Sequence, residues 1–261
     1  MGMPESFFGW VGYLIREYWP LFIRGTGVTL LIAVSGTVFG FVIGLLVAIA
    51  RTSDVSEGVL PFKKAVRKCV HALLGVYIEV FRGTPMIVQA MVIYYGLQYV
   101  HIKLPNLTAA VLIVSINTGA YMAEIIRGGI ISVDKGQSEA AFSIGMTHWQ
   151  TMVSVVLPQA VRNIMPSIGN EFIVNIKDSS VLNVISVTEL FFQSKSAAGT
   201  YYRYFEVFFI TAMIYLFLTF TISRLLMIVE RKMDGPEHYT FMGSQSDSRS
   251  VITVDGRKDA E

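Results

Sequence analysis

"TGVTLLIAVSGTVFGFVIGLLVAIA" runs from Thr26 to Ala50 without a charged side chain and stops at Arg51. About twenty consecutive apolar residues suffice for a helix to cross the hydrocarbon core of a bilayer, so this stretch reads as a transmembrane helix. Within it Gly36, Gly40 and Gly44 recur every four positions. Small residues at that spacing make a stripe on which another helix can pack closely, either inside one bundle or on a second copy. The bundle is the expected place.

Further apolar stretches follow along the chain. Leu107 to Ile126 and Phe205 to Val229 read as clear spans. His71 to Val100 is apolar but carries Glu79 and Arg82, then Gly83 and Pro85, which should kink or restart the helix. Glu79 and Arg82 are three residues apart, close enough to pair on one helix face. Val153 to Leu190 is interrupted by Pro158, Arg162, Pro166, Glu171, Lys177 and Asp178. The expectation is an all-α, polytopic membrane bundle of about five helices. Composition agrees, with 53% hydrophobic residues, 15% charged and a mean hydropathy of +0.54. A net charge of +2 argues against nucleic acid as a partner, and the single cysteine, Cys69, cannot form an internal disulfide.

Three regions are expected. Residues 1–25 lack the basic start of a signal peptide and carry Phe7, Phe8, Trp10, Tyr13, Tyr18 and Trp19, which suits a helix lying at the headgroup level. Residues 26–232 form the membrane domain, and residues 233–261 read as a polar, disordered tail. Orientation follows from the basic residues. Arg51, Lys63, Lys64, Arg67, Lys68, Arg127, Lys135, Arg231 and Lys232 fall on one side, nine against the five of Arg16, Arg24, Lys103, Lys195 and Arg203. The positive-inside rule then puts the N-terminus outside and the C-terminus in the cytoplasm. The basic cluster before the second span reads as a lipid-facing anchor.

Between the third and fourth spans lies "GQSEAAFSIGMTHWQ", Gly136 to Gln150, too polar for lipid. Gln137 to Ile144 favours helix, with Glu139 in the first turn, where a carboxylate complements the helix dipole. Gly145 breaks the run. Thr147 and Gln150 then have the spacing of a capping box. Two short helices joined by a bend are expected. The small Ala140 and Ala141 would let a partner's backbone approach.

The run "EAAFSIG", with "LP" at Leu157–Pro158, resembles the EAA loop of ABC importer permeases. "FRGTPMIVQ" (Phe81–Gln89), "AYMAEIIRGGIISVDKGQSEAA" (Ala120–Ala141) and "IKDSSVLNVISVTEL" (Ile176–Leu190) resemble motifs of the polar amino acid permeases, the histidine/glutamine/arginine type. The long tail and the extended loop after Arg51 depart from that pattern without touching the shared motifs. The resemblance implies that Gly136, Gln137, Glu139, Ala140, Ala141, Gly145 and Met146 couple the chain to a cytoplasmic ATPase. It also implies two ATPase subunits, a second permease copy or homologous permease, an extracytoplasmic solute-binding protein, a polar amino acid substrate and a bacterial plasma membrane.

No G-x-x-x-x-G-K-[ST] loop, nucleophile elbow or metal-ligand spacing is present, so no covalent chemistry and no cofactor are expected in this chain. ATP and Mg²⁺ would be bound by the partner ATPase. Polar side chains inside a membrane mark a pathway or a packed interior contact. Asn117 and Tyr121 share a face of the third span with Glu124, and Asn170, Glu171 and Asn175 lie on the fourth. These and Gln89 offer donors and acceptors for an amino acid zwitterion, with Glu171 the foremost. The competing reading of each is an inter-helix hydrogen bond. An ion-gradient-driven amino acid carrier is the alternative function, although such carriers are built on internal repeats that are not evident here.

Overall fold

The computed structural model describes residues 4–52, 61–234, 239–242 and 251–254. Helix α1 is unbroken from Phe7 to Thr52. Its 46 residues give a length of about 69 Å, against a hydrocarbon core of about 30 Å. The expected boundary at residue 25 is therefore no break in the backbone. Nor do the N-terminal aromatic residues form a separate surface helix. Trp10, Leu14 and Phe22 are buried against Leu190, Ala197, Ala198, Val207 and Ile210, so protein takes the place of headgroups for part of that face.

Helices α2 (Pro61–Gly83) and α3 (Met86–Tyr99) are broken where the sequence predicts, but the angle between them is 116°. Pro85 takes an extended conformation at φ −64°, ψ 138° and supplies no N–H, so α2 cannot continue through it. Helix α4 spans Asn106–Ile131 and leads through α5 (Lys135–Ser143) and α6 (His148–Thr151) to a π-helical turn at Met152–Val156. Helix α7 (Leu157–Asp178), a 3₁₀ turn (Ser179–Ile185), α8 (Leu190–Tyr201) and α9 (Tyr204–Asp234) complete the bundle.

Among the described residues three helices are long and apolar enough to cross a membrane, or four if α2 and α3 make one broken span. Helix α7, expected within the fourth span, has the length at 22 residues but too many polar side chains to pass the same measure. Within the tail, strands β1 (Tyr239–Met242) and β2 (Val251–Val254) pair antiparallel, Tyr239 opposite Val254. The tail's other residues past Asp234, and residues 53–60 of the first loop, lie outside the described residues.

The glycine stripe packs inside the bundle. A Cβ at Gly40 would lie 2.7 Å from the Thr118 side chain, and those at Gly36 and Gly44 would overlap Val114 and Met122. Helices α1 and α4 thus meet backbone to backbone, which in lipid yields dispersion contact that bulkier residues forbid. Beyond the stripe, Ile32, Ile113 and Val114 pack with Leu182, Ile185 and Val187 around the 3₁₀ turn.

Candidate translocation and coupling site

The elbow between α4 and α7 is built as two capped helices. Asp134 Oδ1 accepts a 2.6 Å hydrogen bond from the Gly136 N–H, so α5 begins at Lys135. That is two residues earlier than the sequence reading placed it, and it moves Glu139 from the first turn to the fifth helical position. The missing signal was Asp134 itself, a strong N-cap residue. At the other end Gly145 has φ +83°, and the Gly145 and Met146 N–H groups donate to the Phe142 and Ala141 carbonyls. This is a Schellman cap, which glycine enters without the Cβ clash of other residues. The capping box closes as read: Gln150 N–H donates to Thr147 Oγ1 and Thr147 N–H to Gln150 Oε1, at 3.3 and 2.8 Å.

Three contacts fasten the elbow to the bundle. Val133 packs on Val156 and Ala160, and Asn163 Nδ2 donates to Ser132 Oγ at 2.8 Å. Gln159 reaches Gln137 at 3.4 Å. Ala141 faces inward and Met146 is half-buried, whereas Gly136, Gln137, Glu139, Ala140 and Gly145 are exposed. Phe142, Ile144 and Trp149 are exposed as well, Ile144 at 80% and Trp149 at 75%. An apolar surface of this kind on a polar protrusion marks a protein contact.

The six pathway residues separate into groups. Gln89 and Asn117 meet at the α2–α3 break. Asn117 Nδ2 donates to Gln89 Oε1 at 2.8 Å, while Gln89 Nε2 donates to the Phe81 and Thr84 carbonyls at 2.9 and 2.8 Å. They satisfy carbonyls that the end of α2 would otherwise leave unpaired. Asn175 is a clasp among three helices, accepting from Thr118 Oγ1 at 3.1 Å and donating to Thr37 Oγ1 at 2.9 Å. Tyr121 stacks under Arg82, whose guanidinium carbon is 5.6 Å from the ring centre. Among the described residues the side chains of Asn170 and Glu171 make no hydrogen bond or ion pair, Asn170 being exposed and Glu171 half-buried.

Arg82 does not pair with Glu79. It turns to Glu124 instead, at 4.0 Å, where Arg51 and Arg127 also converge at 3.1 and 2.7 Å. Three guanidiniums from α1, α2 and α4 therefore share one carboxylate. In the sequence Arg51 and Arg127 read as orientation signals and Arg82 as a partner for Glu79. Arg127 is three residues from Glu124 on α4, but spacing gives no hint that Arg51 and Arg82 join them, because those pairings depend on how α1 and α2 pack on α4. Arg82 also lies within electrostatic reach of Glu171 on α7. Glu189, fully buried, is a second acid that sequence reasoning missed: it caps α8 by accepting from Phe191 and Phe192 N–H groups, both at 2.7 Å.

Known proteins share this architecture. The family described as "Binding-protein-dependent transport system inner membrane component" matches residues 64–235. The glutamine transport system permease protein GlnP of Escherichia coli (strain K12) is 40% identical over 216 residues, covering 82% of this chain and 93% of that protein. The L-cystine transport system permease protein TcyB of Bacillus subtilis (strain 168) is 35% identical over 220 residues, covering 84% and 89%. The crystal structure of an amino acid ABC transporter with histidines superposes with a TM-score of 0.77 at 40% identity, over 88% of this chain and 100% of that one. The MetNI methionine ABC transporter in an inward-facing form shares the fold at a TM-score of 0.66 and 19% identity, over 82% and 96%. These relatives give no support to an ion-gradient-driven carrier. The chain belongs to the binding-protein-dependent transport system inner membrane components, as a multi-pass permease subunit of the ABC importer type.

Proposed function

We propose that the chain conducts a polar amino acid across a bacterial plasma or inner membrane, driven by ATP hydrolysis on separate subunits. The observation that carries the reading is the capped elbow at Lys135–Thr151, exposed on its apolar side and continuous with α4 and α7. Two ATPase subunits binding ATP and Mg²⁺ would grip it on the cytoplasmic side, with the N-terminus outside and the C-terminus inside. Gly136, Gln137, Glu139, Ala140, Gly145 and Met146 would form the coupling contact, with the buried Ala141 beneath them. A second permease, identical or homologous, completes the pathway, and an extracytoplasmic binding protein delivers the substrate. Amino acid transport is supported by the names of the relatives.

Alternating access would expose a site bordered by Tyr121, Asn170 and Glu171, with Gln89, Asn117 and Asn175 holding the helices around it. Glu171 can neutralise the substrate ammonium. Reconstituted uptake with the partner ATPase tests both parts. Glu139→Lys is expected to abolish ATP-driven uptake and binding-protein-stimulated hydrolysis together, and Glu171→Ala to lower uptake while the ATPase stays bound. Unchanged uptake in Glu139→Lys removes the coupling assignment; unchanged uptake in Glu171→Ala removes Glu171 from the pathway.

A further inference from the structure

Helix α2 carries two opposed faces that the transport pathway does not use. Phe62, Val66, Val70, Leu73, Val76 and Val80 recur every three or four residues, and all are exposed, Phe62 at 77% and Leu73 at 64%. At 100° per residue they fall on one stripe. Lys64, Arg67, Lys68 and His71 fall on the opposite side, with Lys64 and Lys68 exposed. Among the described residues the last part of the helix is the part fixed in the bundle, where Ile78 packs on Val47 and Ala123 and the Tyr77 hydroxyl donates to the Ile116 carbonyl at 2.6 Å.

A helix that crosses the hydrocarbon core does not keep the three cations Lys64, Arg67 and Lys68 on one face, and the 116° turn at Pro85 keeps α2 out of line with α3. An apolar stripe opposite a basic one is the pattern of a helix lying in the plane of a membrane surface. The apolar side enters the acyl boundary and the cations meet headgroups. The charge selects the occupant. A neutral protein surface would cover the valines but leave the cations unmatched, whereas an anionic leaflet matches both faces.

We infer that α2 is an in-plane helix that binds anionic lipid, with Lys64, Arg67 and Lys68 reading the headgroups and Phe62, Val66, Val70 and Leu73 anchored beneath them. It would thereby hold Arg82 and the α2–α3 break at a depth fixed by the leaflet. The inference is independent of the substrate and of the coupling contact.

The chain supplies its own reporter. Cys69, its single cysteine, is exposed and lies between Val66 and Leu73 on the apolar side. The full-length permease, assembled with its ATPase, is labelled at Cys69 with an environment-sensitive fluorophore. It is reconstituted in phosphatidylcholine, alone or mixed with phosphatidylglycerol, carrying spin-label quenchers at the headgroup or at the acyl-chain end. The expected result is quenching that is stronger from the headgroup level, rises with phosphatidylglycerol and falls with added salt. Lys68→Gln should weaken the phosphatidylglycerol-dependent part about fivefold, the factor for one cation near an anionic surface. If that variant does not assemble, the salt titration of the wild-type chain still decides. Quenching mainly from the acyl-chain end means that α2 spans the bilayer, and no quenching at either depth means that protein covers the stripe; either result overturns the inference. Headgroup quenching indifferent to phosphatidylglycerol and salt overturns the lipid selectivity.

Discussion

Asn175 illustrates how one side chain can be read in two ways before its neighbours are known. Its position on α7 made it a pathway candidate, yet both ends of its amide are used, one by Thr118 and one by Thr37. A buried amide in lipid has no water to return to, so these bonds hold three helices in register. Asn175→Ala removes both, each worth about 0.6 kcal/mol in measured membrane cases, giving an expected loss of about 1 kcal/mol. Thermal unfolding of the detergent-purified subunit measures it as a lowered midpoint. Asn175→Asp should do worse than alanine, because an ionised carboxylate keeps the acceptor but brings an unpaired charge. Glu189 shows the opposite outcome for a buried acid, since two backbone N–H groups and the Tyr215 hydroxyl at 3.2 Å meet its oxygens.

Between elements, the α1–α4 contact rests on the glycine stripe, which was legible from its spacing, whereas its partner residues on α4 were not. Gly40→Leu is expected to force the helices apart, since even a methyl group there lies 2.7 Å from Thr118; overpacking of this kind costs about 1–3 kcal/mol. Gly27→Ala, on the same helix, meets nothing within 4 Å and should stabilise by up to about 1 kcal/mol through helix propensity. Fluorescence-detected size exclusion after a heating series separates the two, and equal midpoints would mean that the stripe is not a contact. Other elements were legible for the same local reason: the Thr147 capping box, the glycine bend and the break at Pro85 are each written within a few residues. What the sequence could not deliver was direction. The 116° turn between α2 and α3, the burial of Trp10 against α8 and the gathering of arginines around Glu124 depend on residues far apart in the chain. The candidate site was legible as a set of polar residues, but their division into clasps and free groups needed the packing.

Across the whole molecule, the elbow, α4 and α1 are fixed to one another by the Val133 cluster and the glycine stripe, and α7 joins them through Asn163 and Asn175. The piece set apart is α2 with α3, which meets α4 through Glu124, the Gln89–Asn117 pair, the Tyr77 hydroxyl and the Ile78–Ala123 packing. Motion imposed at the elbow can reach the break through those contacts. Arg82 is the loosest of the three cations at 4.0 Å and sits directly before Gly83, so it is where a rearrangement costs least. Glu124→Gln removes the charge that gathers Arg51, Arg82 and Arg127 while keeping the shape of the side chain. The elbow is untouched, so the ATPase should remain bound and hydrolysis should continue. Uptake per ATP should fall about fivefold or more, the lower end of coupling free energies between sites. Parallel assays of hydrolysis and uptake in proteoliposomes read this ratio directly. A proportional loss of both activities would place the defect in assembly, and an unchanged ratio would mean that motion reaches the break without passing through Glu124.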